Sequence, residues 1–136
     1  YGSEKMPVKY VNKTNKFEIF EFLLHHQTDI VFSAGFPFIL PNHVLTNGTI
    51  FINSHPSLLP LYKGYNAIKD ALRCKEEYLG VTVHYMVEDV DCGDIICQDK
   101  VWVKDMMIQE IYGLIFGVVE PMVITKALGI VLQKHF

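Results

Sequence analysis

Two short runs of β-branched and apolar residues constrain the fold of this chain most strongly. The first covers residues 30–34 and stops at Gly35, and the second covers residues 49–53 and stops at a proline-rich loop. Apolar runs of this length, bounded by turn signals, are typical of strands buried in a parallel sheet. We therefore expect two buried parallel strands, with Gly35 and Asn53 at their carboxyl ends.

Helical and strand patterns alternate along the rest of the chain. Helices are predicted at residues 16–26, 67–74 and 107–132, and strands at residues 80–87 and 95–103. A minor strand is also predicted at residues 8–11. This order predicts one α/β domain over residues 1–136, with an open, mostly parallel sheet flanked by helices. In such sheets ligands lie beyond the carboxyl ends of the strands, so these ends are expected to meet in one cleft.

The composition argues against several other classes of protein. The 136 residues carry a formal net charge of −3, and the basic residues are scattered, so we expect neither nucleic acid nor membrane as a partner. The apolar stretch at residues 111–119 is too short to cross a bilayer. Cys74, Cys92 and Cys97 lack the spacing of a disulfide framework or zinc site, which favours buried or half-buried filler positions in a cytoplasmic protein.

The polar residues that end the second strand carry the chemistry. Asn53 and His55 are two residues apart, so in an extended segment their side chains point to the same side. An amide donor beside an imidazole suits a reaction that builds negative charge on a carbonyl oxygen. Asp91, in the acidic turn at residues 88–94, supplies a carboxylate to orient the imidazole. Taken singly these residues also fit a loop cap or an ordinary turn, but their combination favours an active site.

Four segments together resemble the folate-dependent formyltransferase family. Residues 53–60 read N-S-H-P-S-L-L-P, similar to the N-x-H-P-S-L-L-P signature of that family. Residues 80–84 resemble its G-x-[ST]-V-H strand, and residues 88–96 resemble its closing loop. Residues 33–40 are similar to the segment that lines its pteridine pocket. The four segments occur in the family's order and at its spacing.

The resemblance implies a Rossmann-like fold and a reaction without a metal. An amine would attack the formyl group of 10-formyltetrahydrofolate and form a tetrahedral intermediate. Asn53 would bond the formyl oxygen, and His55, as an imidazolium, would stabilise the oxyanion. Asp91 would hold His55 and help take the amine proton. A cis peptide bond is implied between Leu59 and Pro60.

The resemblance also implies the residues that surround this centre. Two side chains, Thr82 and His84, would support Asp91. The folate would bind against a pocket of apolar side chains and against the backbone of the strand that follows. The implied folate-binding residues are Phe38, Ile39, Leu40, Met86, Val87, Glu88 and Asp89.

The amine acceptor is left open by the sequence. A small phosphorylated amine, glycinamide ribonucleotide of purine biosynthesis, is preferred over a nucleotide-linked amino sugar. Methionyl-tRNA is disfavoured because the chain carries no basic C-terminal domain. Hydrolysis of formyltetrahydrofolate and a catalytically silent folate-binding domain are the alternatives from other classes. The sequence does not indicate an oligomeric state.

Three features depart from the family pattern. Members normally begin with a strand and a glycine-rich turn, whereas this chain begins at Tyr1 without either, so we expect either a chain that has been shortened at its N-terminus or a protein without these strands. Ser54 is polar where an aliphatic residue is usual. Glu120 is out of register with the acidic residue that contacts the acceptor in the purine-pathway members.

Overall fold

A computed structural model describes residue 10, residues 12–26 and residues 28–136. The minor strand predicted at residues 8–11 lies outside the described residues, apart from Tyr10. The helices and strands of the described part are α1 (Lys16–His25), β1 (Ile30–Ala34), α2 (Asn42–Leu45), β2 (Ile50–His55), α3 (Ala67–Arg73), β3 (Tyr78–Tyr85), β4 (Ile95–Trp102), α4 (Ile108–Leu114), a π-helical turn (Ile115–Val119) and α5 (Glu120–His135).

The four strands form one open sheet in the order β1-β2-β3-β4. The α/β class and the helix-flanked sheet predicted from the sequence are confirmed. The pairing corrects one detail, because over the described residues the sheet is mixed rather than mostly parallel: β1 and β2 are parallel, and the other two pairs are antiparallel. Only residues 86–94 separate β3 from β4, which is shorter than the crossover that parallel neighbours need.

The two faces of the sheet bury separate cores. Ile52 of β2 belongs to the larger core, which contains the long C-terminal helix. Its neighbour Phe51 belongs to the smaller core against α1 and α2. Because side chains alternate across a strand, Asn53 and His55 share the face of Phe51, and Ser54 shares the face of Ile52.

The elements α4, the π-helical turn and α5 form one continuous helix, Ile108–His135. Its buried residues recur strictly every fourth position, which exceeds the 3.6 residues of a regular helical turn. The wider turn at Ile115–Val119 offsets part of this drift and keeps the buried stripe on the sheet. Each large apolar side chain in the stripe stabilises the fold by about 1.5–3 kcal/mol. The stripe consists of Ile111, Ile115, Val119, Val123, Ala127 and Val131.

By length and composition alone, the helix Ile108–His135 could also cross a membrane. This finding corrects the sequence analysis, which considered only the short apolar stretch at residues 111–119. The core helices of soluble proteins can be equally long and apolar, so length and composition are weak evidence for a membrane span. In this structure the helix packs its stripe against β3 and β4 and serves as the central helix of the larger core.

The three cysteines are free. Cys97 is half-buried, as predicted, whereas Cys74 and Cys92 are exposed, which corrects the prediction for these two. Cys74 follows the last residue of α3, and Cys92 lies in the loop between β3 and β4, so neither reaches a core.

Candidate active site

Two cross-strand pairs gather the polar residues at the end of β2. In the register of β2 and β3, Asn53 lies opposite His84, and His55 lies opposite Thr82. Directly opposed residues of an antiparallel pair have their side chains on the same face. The register therefore brings all four side chains to the face of the sheet that carries Phe51.

His55 lies between two hydrogen-bond acceptors. Its Nε2 is 2.8 Å from the backbone oxygen of Tyr62, and its Nδ1 is 3.4 Å from Oδ2 of Asp91. The side chains of His55 and Asp91 are only 7% and 8% exposed. A doubly protonated imidazole has an N–H for each acceptor, so this arrangement suits the imidazolium form.

Asp91 reaches His55 from an unusual backbone conformation. Its φ of 55° is in the left-handed region, which Asp tolerates better than most residues. The backbone N–H of Gly64 donates to Oδ2 over 2.8 Å and fixes the carboxylate. Gly93 allows the same loop to pass close to the end of β3, because a Cβ at this position would overlap the backbone oxygen of Tyr85. The turn thus directs the carboxylate of Asp91 toward His55, in agreement with the role predicted for it from the acidic turn.

His84 bridges Asn53 and the end of β3. Because a carbonyl oxygen only accepts, the contact of 2.8 Å with Tyr85 places the proton on Nδ1 of His84. Its Nε2 then accepts a hydrogen bond from Nδ2 of Asn53 over 3.2 Å and lies 3.8 Å from Oδ1 of Asp91. Burial is the largest influence on the pKa of His84 and lowers it, and repulsion from His55 lowers it further. The hydrogen bond to the Tyr85 carbonyl and the negative charge of Asp91 oppose this shift. The result favours a neutral His84.

Thr82 serves another part of the site than the sequence suggested. Its hydroxyl donates to the backbone oxygen of Ser57 over 2.7 Å and accepts from the backbone N–H of Leu59 over 3.1 Å. The side-chain amide of Gln98 also donates to it, over 3.0 Å. Thr82 therefore holds the loop after His55, because its hydroxyl is used by that loop and does not reach Asp91. The Leu59-Pro60 bond in this loop is cis, as predicted.

A cavity of about 490 Å³ opens beside these residues. Its volume is in the range of small-molecule sites. Asn53, His55, His84 and Asp91 line it. Six of the seven expected folate-binding residues line it as well, and the exception is Asp89, which is exposed and is not part of the lining. The six are Phe38, Ile39, Leu40, Met86, Val87 and Glu88.

Several residues of this cavity were not among the candidates. The hydroxyl of Ser54 donates to Oε2 of Glu120 over 3.0 Å, and both line the cavity together with Phe116. The polar Ser54 in an apolar strand was a visible signal for this pair. Two backbone groups that hold the site also had no signal in the sequence: the oxygen of Tyr62, outside the cavity lining, and the N–H of Gly64. Among the described residues, no group of three or more His, Cys, Asp and Glu side chains is arranged to hold a metal ion.

A family model described as formyl transferase matches residues 5–120. This chain belongs to the formyl transferase family. The match includes β1 to β4 and all the residues of the candidate site, so the resemblance stated from the four segments is confirmed.

Individual members of the formyl transferase family show the same relationship. The trifunctional purine biosynthetic protein adenosine-3 of Bos taurus is 47% identical over 62% of this chain and 8% of its own length. Phosphoribosylglycinamide formyltransferase of Bacillus subtilis is 36% identical over 73% of this chain and 52% of its own length. The crystal structure of phosphoribosylglycinamide formyltransferase from Anaplasma phagocytophilum has a TM-score of 0.75 and 34% identity, covering 87% of this chain and 58% of that one.

Other family members that match this chain carry different names. They include methionyl-tRNA formyltransferases, a formyltetrahydrofolate deformylase and a 4-N formyltransferase. The chain spans about half or less of the curated relatives described above. Family membership therefore does not fix the acceptor.

Proposed function

We propose that this chain is the folate-binding and catalytic domain of an enzyme that transfers the formyl group of 10-formyltetrahydrofolate to a primary amine. The observation that carries the proposal is the buried contact of 3.4 Å between His55 and Asp91, beside Asn53, at the edge of one cavity. In this family context the three residues form a site that stabilises an oxyanion.

The lining of the cavity supports folate as the formyl donor. Leu40 is buried, Phe38 and Met86 are half-buried, and together they offer apolar surface to a flat ring system. Val87 and Glu88 continue the lining beyond the end of β3, where backbone groups are free of strand pairing. Apolar walls with a few polar groups are typical of sites for small molecules and cofactors.

The reaction begins when the amine nitrogen of the acceptor forms a bond to the formyl carbon. The carbonyl oxygen becomes an oxyanion, which accepts a hydrogen bond from the second N–H of Asn53 and is stabilised by the positive charge of His55. Asp91 orients the imidazole of His55 and, through water, helps to remove the proton of the attacking amine. The bond from the formyl carbon to N10 then breaks, and N10 takes up a proton as tetrahydrofolate leaves.

Glycinamide ribonucleotide is the acceptor that we propose first. Relatives named for purine biosynthesis reach 49% identity over the stretch that they share with this chain, and several solved neighbours are phosphoribosylglycinamide formyltransferases. A nucleotide-linked amino sugar is the second candidate, favoured by the likeness to a 4-N formyltransferase from Francisella tularensis. Both are small phosphorylated amines, consistent with a cytoplasmic enzyme.

Calorimetric titration with a non-transferring analogue of 10-formyltetrahydrofolate tests the folate site. We expect saturable binding at micromolar or better affinity by the chain and by its Asp91→Asn variant, because Asp91 acts on the reaction more than on binding. A folded sample that does not bind the analogue would overturn the proposal. Formate release without an added amine would instead indicate hydrolysis, the activity named for a solved neighbour from Pseudomonas syringae.

A further inference from the structure

The segment from Tyr62 to Gly64 contacts both members of the His55–Asp91 pair. The backbone oxygen of Tyr62 is 2.8 Å from Nε2 of His55, and the backbone N–H of Gly64 donates to Oδ2 of Asp91 over 2.8 Å. Nδ1 of His55 is 3.4 Å from the same carboxylate oxygen. One short stretch of backbone therefore contacts one nitrogen of the imidazole and fixes the carboxylate that faces the other nitrogen.

The backbone of this segment is bent at both of its ends. Tyr62 has a φ of 54° and Gly64 has a φ of 93°, both in the left-handed region. Glycine adopts this conformation readily, whereas a residue with a bulky side chain does so rarely and at a cost in free energy. Residues in such conformations persist where the surrounding structure holds them, and they cluster at functional sites. The conformation of Tyr62 therefore requires other contacts to hold it.

The side chain of Tyr62 makes these contacts. Its ring packs against the larger core, and its hydroxyl donates to Oε1 of Glu76 over 2.8 Å. Hydrogen bonds to Cys74 and Glu76 raise the pKa of the phenol, so it stays protonated and remains a donor. Glu76 is in turn tied to α3, because its backbone N–H donates to the oxygen of Ala71. Neither Tyr62 nor Glu76 lines the cavity of the reaction centre, so this anchor lies outside it.

We propose that Tyr62 is a positioning residue for formyl transfer. Its side chain, anchored on Glu76, holds its backbone in the left-handed conformation, and this conformation presents the backbone oxygen to Nε2 of His55. The ring of His55 is thus oriented before the substrates bind and does not have to turn when the oxyanion forms. This inference rests on the proposed formyl transfer and adds to it a residue outside the cavity lining.

Steady-state kinetics of matched variants test the inference, with 10-formyltetrahydrofolate and glycinamide ribonucleotide as substrates. Tyr62→Phe removes the donor and keeps the ring, Glu76→Ala removes the acceptor, and Glu76→Gln removes the charge but keeps an oxygen for the phenol. We expect the first two variants to lower kcat about two- to tenfold, as for the loss of one hydrogen bond. Their affinity for the non-transferring folate analogue should not change. Glu76→Gln should stay within about twofold of the unaltered chain.

The control for these variants is Glu77→Ala, at the next exposed position, where the carboxylate pairs with Lys104 over 3.2 Å. We expect its kcat to equal that of the unaltered chain. An unchanged kcat in Tyr62→Phe, even with a lower free energy of unfolding, would indicate a purely structural role and overturn the inference. A Glu76→Gln chain as slow as Glu76→Ala would overturn it too, because the oxygen that it keeps would then not act as an anchor.

Two further variants test the backbone conformation itself. Tyr62→Asn and Tyr62→Val both remove the ring, but asparagine tolerates the left-handed region and the β-branched valine does not. We expect a lower kcat in Tyr62→Val than in Tyr62→Asn, because valine would turn the backbone oxygen away from His55. Equal values of kcat in the two variants would overturn the inference.

Nuclear magnetic resonance of the imidazole separates this inference from the proposed function. In a chain with isotopically labelled histidine, the Nε2–H proton of His55 is assigned with the His55→Gln variant. We expect this signal to shift in Tyr62→Phe and in Glu76→Ala and to keep its position in Glu76→Gln. An unmoved signal in Tyr62→Phe would overturn the inference. The readout needs neither folate nor amine, so a chain without transfer activity would contradict the proposed function, while the signal would still decide whether Tyr62 orients His55.

Discussion

Nδ1 of His55 lies 3.4 Å from Oδ2 of Asp91, and both side chains are more than nine-tenths buried. The second ring nitrogen faces the backbone oxygen of Tyr62 over 2.8 Å. With an acceptor at each nitrogen and little access to water, the ring of His55 is oriented by the carboxylate and by the backbone rather than by solvent. The effect of removing that carboxylate is therefore the most direct test of the site.

We expect Asp91→Asn to lower the rate of formyl transfer by about 100- to 10,000-fold, the usual contribution of a positioned acid or base. The amide retains the shape of the side chain but loses the charge that stabilises the imidazolium of His55. Steady-state rates with 10-formyltetrahydrofolate and glycinamide ribonucleotide measure the effect. The matched control is Asp105→Asn, an exposed position outside the cavity lining that also has a left-handed φ. Equal rates for the two variants would remove Asp91 from the mechanism.

Gly93→Ala tests whether the loop that carries Asp91 must pass close to β3. A Cβ at Gly93 would overlap the backbone oxygen of Tyr85, which also accepts the hydrogen bond from His84. We expect the loop to move away, with a loss of about 1–3 kcal/mol in the free energy of unfolding and a lower transfer rate.

The control for this change is Gly113→Ala, on an exposed part of α4 with no atom within 4 Å of the added Cβ. It should leave the rate unchanged and stabilise the helix by up to about 1 kcal/mol, as Ala replaces Gly. Urea denaturation of both variants measures the two free energies. A Gly93→Ala chain as stable and active as the control would mean that the loop tolerates a side chain there.

The position of the candidate site could be predicted from the sequence because strand ends are visible in it. An apolar run that stops at Asn53, with His55 two residues later, fixes both side chains on one face. Asp91 followed by Cys92-Gly93 indicates a tight turn. These are local patterns, and the structure places the three residues together.

The remaining features depend on groups that the sequence does not distinguish. The oxygen of Tyr62 and the N–H of Gly64 are backbone atoms, which nearly every residue carries. The pairing of Ser54 with Glu120 joins positions 66 residues apart and depends on the rotation of a helix by its π-helical turn. The mixed sheet was not predicted from the residue types of the strands, although the short connection between β3 and β4 is a signal in the sequence for an antiparallel pair.

His84 makes the stability of the fold depend on pH. Burial, the largest cause, lowers its pKa from the ordinary value of 6.5. Between the lowered pKa and 6.5 the unfolded chain binds more protons than the folded chain, so the free energy of unfolding falls as the pH drops through this window. Above 6.5 the penalty disappears because the ring is neutral in both states.

We expect His84→Gln to reduce this pH dependence, since glutamine does not titrate. Urea denaturation between pH 5 and 8 measures it as the slope of the unfolding free energy against pH. The control is His43→Gln, at an exposed position on α2, where we expect the slope to stay as it is in the unaltered chain. Identical slopes for the His84 variant and the unaltered chain would show that the protonation of His84 is not linked to folding.

Thr82→Val tests the support of the loop that follows His55. The hydroxyl of Thr82 is fully buried and joins the backbone of Ser57 and Leu59, so valine would keep the shape but leave the N–H of Leu59 without this partner. An unsatisfied buried donor costs about 1–3 kcal/mol, and we expect that loss in urea denaturation. We also expect slower formyl transfer, because the loop begins at the residue after His55.

The matched control is Thr125→Val on α5, whose exposed hydroxyl donates to the backbone oxygen of Pro121. Its effect should stay within about 0.5 kcal/mol, as for most exposed substitutions. If Thr82→Val lowers the free energy of unfolding no more than this control does, other contacts hold the loop that contains the cis Leu59-Pro60 bond. One of these contacts is the hydrogen bond of 3.2 Å from the side-chain amide of Gln98 to the backbone oxygen of Leu59. If it lowers stability but not the transfer rate, the loop supports the fold without positioning His55.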